Sequence, residues 1–119
     1  MKIITTLCLV LLSVHSYSQE IIPEVETVAR NSLMYHQDTN ELVTGTVEYF
    51  HDNGQLRERG NWINGKRNGL YESFHENGQL KERRNYVYGE QDGLFEVFDR
   101  NGNLRGSDMW RNGEYVPKL

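Results

Sequence analysis

Three stretches of this chain align without gaps at a spacing of 24 residues, and no other feature constrains the fold as strongly. Gly45 opens GTVEYFHDNGQLRERGNWINGKRN, Gly69 opens GLYESFHENGQLKERRNYVYGEQD, and Gly93 opens GLFEVFDRNGNLRGSDMWRNGEYV. In each unit a glycine leads into five or six β-prone residues, then an Asn-Gly pair, then a second stretch that starts at leucine and ends at an aromatic. That order specifies a β-hairpin. Asn53-Gly54, Asn77-Gly78 and Asn101-Gly102 are placed to give the positive φ that tight turns require. Asn64-Gly65, Tyr88-Gly89 and Asn112-Gly113 mark a second set of turns, between units.

The chain therefore reads as all-β, a single-layer antiparallel β-meander of tandem hairpins: repeat 1 at 45–68, repeat 2 at 69–92, repeat 3 at 93–116, and a tail at 117–119. A two-residue turn would set Phe50 opposite Arg57. A three-residue turn with a glycine bulge at Gly54 sets Phe50 opposite Leu56, Phe74 opposite Leu80 and Phe98 opposite Leu104, and this register is preferred. Strict alternation from there predicts one core stripe through Phe50, Leu56, Trp62, Leu70, Phe74 and Leu80, continuing through Tyr86, Leu94, Phe98, Leu104 and Trp110. The opposite face then mixes Val47, Tyr49, Tyr71, Phe95 and Val97 with Arg57, Arg59, Lys81, Arg83 and Arg105. The same register sets Glu48 against Glu58 and Glu72 against Glu82, an unfavourable pairing of like charges.

Residues 1–18 read as a secretory signal: Lys2 is a short positive region, Ile3 to Val14 is an apolar run too short to span a bilayer, and Ser16 and Ser18 suit cleavage between Ser18 and Gln19. The competing reading is a buried or interfacial helix, but the run is not amphipathic. Cys8 lies in this segment behind Leu7, which is too large for lipoprotein processing, so no lipid anchor is expected. The exported form then has no cysteine, which excludes disulfides and thiolate chemistry. Removing Lys2 leaves 12 basic residues against 17 acidic ones. Segment 19–44 is the expected N-terminal cap. Within it Val25–Arg30 and Leu33–His36 flank Asn31-Ser32 as a further hairpin, with a short helix as the alternative. The cap should cover the first edge strand, and Tyr115–Leu119, with Pro117, the last.

The unit of glycine, aromatic strand, Asn-Gly, leucine, charged strand, aromatic and second turn resembles the MORN-repeat variant found in bacterial proteins of the YwqK antitoxin-like family. The likeness runs from Tyr35 to Tyr115, and the segment ending Val43-Thr44-Gly45 is similar to the half-unit that leads into that family's first full repeat. The resemblance implies a curved β-meander used for binding. Members of that family are labelled as antitoxins of toxin–antitoxin pairs, and MORN repeats elsewhere are associated with membrane attachment and protein scaffolding.

No residue pattern points to catalysis, a cofactor or a metal. His51, His75 and Asp99 share one repeat position, but equivalent residues stand two strands apart, roughly 10 Å, whereas zinc ligands lie about 2 Å from one ion. Glu48, Glu72 and Glu96 are separated in the same way. Glu48 with Glu58, or Glu72 with Glu82, could approach as a carboxylate pair, although Gly106 breaks the pattern in the third repeat. None of His36, His51 and His75 neighbours a nucleophile-elbow serine. The expected function is that of a noncatalytic, exported interaction module whose candidate binding face is Tyr49, Tyr71 and Phe95 with Arg57, Arg59, Lys81, Arg83 and Arg105. A protein partner is the first expectation; membrane lipid or an envelope glycan is the alternative for a basic, aromatic face. With overall acidity and export, no nucleic-acid ligand is expected. An uncovered strand edge would allow edge-to-edge homodimers.

Overall fold

The computed structural model describes residues 20–119, so the signal segment 1–18, Cys8 and the Ser18–Gln19 junction lie outside the described residues. Eleven strands form among the described residues: β1 (Ile21–Pro23), β2 (Thr27–Arg30), β3 (Leu33–His36), β4 (Gly45–Phe50), β5 (Leu56–Ile63), β6 (Lys66–Phe74), β7 (Leu80–Val87), β8 (Glu90–Gln91), β9 (Gly93–Phe98), β10 (Leu104–Arg111) and β11 (Glu114–Val116). Nine of them make one sheet in the order β1-β4-β5-β6-β7-β9-β10-β11, with β8 paired to β7; β2 and β3 make a separate hairpin. Every pairing is antiparallel except β1 with β4. The sheet is the hairpin meander that the repeats specify.

Two kinds of turn alternate along it. At the Asn53-Gly54 end, His51 and Gln55 close the loop through a 2.8 Å backbone hydrogen bond, and Gly54 alone takes positive φ, at 83°. Phe50 then pairs with Leu56, Phe74 with Leu80 and Phe98 with Leu104, as the three-residue turn requires. At the other end both turn residues are left-handed, Asn64 at 47° and Gly65 at 79°, which gives the mirror-image turn that suits strand twist. Asn31 and Ser32, at 50° and 64°, turn β2 into β3 in the same way.

One residue past the leucine the sequence expectation fails. A bulge follows the Phe–Leu pair in each hairpin, so that Tyr49 pairs with Glu58 and Glu48 with Arg59; in repeat 2, Ser73 pairs with Glu82 and Glu72 with Arg83. The extra residues are Arg57, Lys81 and, in repeat 3, Arg105, where Leu104 and Gly106 flank the shift. An inserted residue moves everything beyond it to the other face of the sheet. It also replaces the predicted glutamate–glutamate pairs by glutamate–arginine pairs. The predicted core stripe is divided as a result: Trp62, Tyr86 and Trp110 lie on one face, while Phe50, Leu56, Leu70, Phe74, Leu80, Leu94, Phe98 and Leu104 lie on the other.

The buried core is correspondingly small and sits at the N-terminal end. Ile22, Val43, Val47 and Trp62 are buried, with Met34 and Tyr49 packed against them. Ile22 enters through β1, whose parallel pairing with Thr46–Glu48 covers the first edge strand. The cap thus covers that edge as expected, but with β1; the β2–β3 hairpin forms its own two-stranded sheet. It is tied to the β5–β6 turn, where Met34 N–H donates to the Gly65 carbonyl at 2.9 Å. Short β1 is hard to see in sequence because three residues carry no period, although Pro23 is compatible with an outer strand. At the far end β11 pairs with Met109–Arg111 and leaves the outer side of Leu104–Asp108 without a strand.

Candidate functional site: two faces of an open sheet

The bulges give the sheet two chemically distinct faces. On the first, which we call the ladder face, Glu48, Arg59, Glu72, Arg83 and Glu96 stand side by side on β4, β5, β6, β7 and β9. Arg59 Nη2 reaches Glu72 Oε1 at 2.9 Å, and Arg83 donates to Glu96 Oε1 through Nε at 3.1 Å and Nη2 at 2.8 Å. Apolar rows run on both sides of this ladder. Ile21, Leu70, Leu94 and Met109 form one; Phe50, Leu56, Phe74, Leu80, Phe98 and Leu104 form the other. Ile21, Phe50 and Leu104 are more than half exposed, and Leu70, Leu94 and Met109 are about 40% exposed.

The second, aromatic face carries Tyr49, Trp62, Tyr71, Tyr86, Phe95 and Trp110. Tyr71 and Tyr86 meet edge to face with ring centres 6.4 Å apart, and Trp110 meets Tyr115 at 6.0 Å. Arg84 lies 4.3 Å above Phe95 and bonds Glu82 at 2.9 Å. Burial works against the Arg84 charge, but Glu82 and Tyr86 outweigh it and raise its pKa. Burial, reinforced by Glu58, pushes the Tyr71 hydroxyl up to about 12, and burial with Glu24 and Glu58 raises Tyr49 as well.

The predicted binding face is therefore not one surface. Tyr49, Tyr71 and Phe95 share the aromatic face, and Arg57 lies 5.8 Å over Tyr49. Arg59 and Arg83 are on the ladder face, bonded to glutamates. Arg57 approaches Glu58 at 3.7 Å and Glu24 at 3.8 Å, and Arg105 bonds Asp99 at 2.7 Å. Of the five predicted cations only Lys81, in the bulge of repeat 2, has no carboxylate within 4.0 Å among the described residues. The glutamate pairs raised as acid–base candidates are also separated, because Glu48 and Glu72 face one way and Glu58 and Glu82 the other.

The shared histidine position has a structural use. His51 Nε2 donates to the Phe74 carbonyl at 2.9 Å, and His75 Nε2 to the Phe98 carbonyl at 3.0 Å, with the ring nitrogen protonated to suit that acceptor. Asn53 Nδ2 donates to Glu76 O and Asn77 Nδ2 to Arg100 O, each at 2.9 Å. Each loop is thus tied to the loop of the next repeat. Asp99, in the third repeat, instead accepts from the backbone of Asn101 and Asn103 within its own loop. Those bonds, led by the one from Asn103, hold its carboxyl below the usual range.

Sequence reasoning missed Arg67, which sits among Trp62, Tyr71 and Tyr86, and Tyr88, an exposed tyrosine with φ of 45°. The second had a signal, since Asn64 and Asn112 occupy the equivalent positions. No curated protein and no solved structure is matched by this chain. The MORN repeat variant profile matches at residues 43–64, 67–88 and 91–112, three units with the same period as the hairpins and together more than half of the sequence. With hairpin, period and profile in agreement, the chain belongs to the MORN repeat variant family.

Proposed function

We propose that this protein is a noncatalytic interaction module, exported from the cytoplasm, that takes a protein partner on the ladder face of its sheet. The observation that carries the reading is that this face exposes two apolar rows while its arginines, Arg59 and Arg83, are already bonded to Glu72 and Glu96. Exposed apolar surface rimmed by satisfied polar groups is the ordinary chemistry of a protein interface. Attachment to an anionic lipid or envelope polymer needs free positive charge, and the internal pairing of Arg57, Arg59, Arg83 and Arg105 weighs against it. Export rests on the leader-like residues 1–18. An antitoxin-like role, neutralising a partner by occupying its surface, is the finer form suggested by the resemblance to the YwqK antitoxin-like family.

Affinity capture with the purified protein as bait, from the envelope and secreted fraction of the source cells, tests this. The expected result is one protein at near-stoichiometric yield that persists at about 1 M salt, where screening acts over about 3 Å, and that is lost with the Leu70→Ser, Leu94→Ser double variant. Recovery of lipid or wall material that washes off at that salt, unaffected by the double variant, would refute the protein-partner reading in favour of attachment.

A further inference from the structure

A cleft of about 530 Å³ opens between the β2–β3 hairpin and the turns that join the repeats, within the size range of small-ligand sites. Met34 and Trp62 contribute apolar lining, and the cationic residues Lys66 and Arg67 line it as well. Neither cation has a carboxylate within 4.0 Å among the described residues, although the arginines of both sheet faces described above each do. Arg67 is held by rings instead, 5.4 Å from Trp62, 4.8 Å from Tyr71 and 5.3 Å from Tyr86, and it donates to the Tyr86 hydroxyl at 3.3 Å. Aromatic faces orient a guanidinium without neutralising it. Positive charge therefore stays available in a partly enclosed site.

Tyr88 gives a second, independent indication. Its φ of 45° lies in the left-handed region, which asparagine tolerates at Asn64 and Asn112 and which strains a bulky side chain. Packing does not compensate, because Tyr88 is 67% exposed. Tyr88 is among the residues that line this cleft. An aromatic kept in a strained backbone position, out in solvent beside unneutralised cations, is placed for a ligand and not for the stability of the fold.

We propose that the cleft binds a carboxylate carried on an apolar or aromatic group, with Lys66 and Arg67 holding the carboxylate and Trp62, Met34 and Tyr88 flanking the apolar part. Glu90 also lines the cleft, so the site offers two positive charges against one negative and suits a monoanion better than a dianionic phosphate. A free carboxylic acid and the C-terminal residue of a peptide present the same chemistry. The site is separate from the ladder face and does not depend on what binds there.

The test is a titration of the ¹⁵N-labelled protein followed by NMR, with N-acetyl-phenylalanine, its amide, and the peptide Gly-Gly-Gly-Phe with a free or amidated terminus. Saturable shifts at Ser32, Gly65, Lys66 and Gly89 are expected with the acids, and binding of the amides on the order of tenfold weaker, as loss of a charge-assisted contact gives. Lys66→Gln, at an exposed position, should weaken binding several-fold. Tyr88→Asn should weaken binding and raise the melting temperature, which a purely structural tyrosine would not do. Tighter binding of the free-terminus peptide than of the single residue would identify peptide ends as the source, and the reverse a small acid. Equal binding of acids and amides, shifts confined to residues outside the cleft, or Tyr88→Asn with unchanged affinity would each overturn the proposal.

Discussion

Asn77→Ala should destabilise the protein more than Asn101→Ala, at the equivalent position one repeat later. Asn77 makes two side-chain bonds: Nδ2 donates to Arg100 O at 2.9 Å in the next loop, and Oδ1 accepts from Gln79 N–H at 3.0 Å in its own. Asn101 makes no side-chain bond among the described residues; Asp99 supplies the acceptor for the Asn103 N–H. At about 0.5–1.5 kcal/mol net per hydrogen bond, with exposed bonds toward the lower end, loss of two costs about 1–2 kcal/mol. The change in turn propensity is common to both variants, so the difference between them isolates the bonds. Urea denaturation followed by circular dichroism, with a melting-temperature difference of about 4–8 °C per kcal/mol for a fold of this size as the cross-check, reads it out. If the two variants fall within about 0.5 kcal/mol of each other, the loop-to-loop bonds do not couple neighbouring repeats and the reasoning fails.

Gly60→Ala should cost about 1–3 kcal/mol by overpacking, because a Cβ there meets Trp62 ring carbons at 2.7 and 2.9 Å, whereas Gly106→Ala, with nothing within 4 Å, should be close to neutral in the same denaturation assay. Tyr71 holds its proton up to about 12 in the fold but loses it near 10 when unfolded, so its contribution is intact below about pH 10 and disappears as pH climbs toward 12. Tyr71→Phe should flatten that alkaline decline, measured as urea midpoint against pH. Asp99 has the opposite sign: its depressed pKa contributes above about pH 4, the unfolded value, and the contribution is lost as pH falls through the folded one. Asp99→Asn should therefore lose stability at neutral pH and show a shallower acid limb.

The hairpins, the turn type at Gly54 and the Phe–Leu pairings were all legible because glycine and asparagine declare a turn locally and the repeat declares it three times. The face assignment was not legible from alternation. Arg57, Lys81 and Arg105 are ordinary strand-surface residues, and nothing in their chemistry announces that two residues there oppose one. A counter-signal was nevertheless present, since an unbulged register sets Glu48 against Glu58 and Glu72 against Glu82. Like charges repeated at the same place in successive units mean that the register is out by one residue. Relieving that conflict moves Arg59 and Arg83 to the face of Glu72 and Glu96 and divides the candidate binding set. The cleft was illegible for another reason: it joins the hairpin at residues 27–36 to turns near 65 and 89, and no local pattern encodes that contact.

The ladder also explains how an open sheet with four buried core residues among those described keeps one arrangement. A repeat array is stabilised by terms within each unit and between neighbours. Here the neighbour terms are polar and directional: the histidine and asparagine bonds at one end of the hairpins and the glutamate–arginine contacts in the middle. At the other end Thr44, Asn68 and Asp92 accept from the backbone of Asn64, Tyr88 and Asn112 at 2.9, 3.0 and 3.2 Å. Each exposed bond is weak alone, but its geometry is satisfied in one register only, so specificity comes from these bonds while the apolar rows stay exposed. The third repeat breaks the series. Asp99 replaces the histidine donor, Gly106 and Ser107 replace Glu82 and Arg83, and Leu94 and Met109 face solvent beside a shortened ladder. An exposed apolar surface beside fewer fixed charges is cheaper to desolvate, so if a partner docks on this face, Leu94→Ser should weaken capture more than Leu70→Ser does.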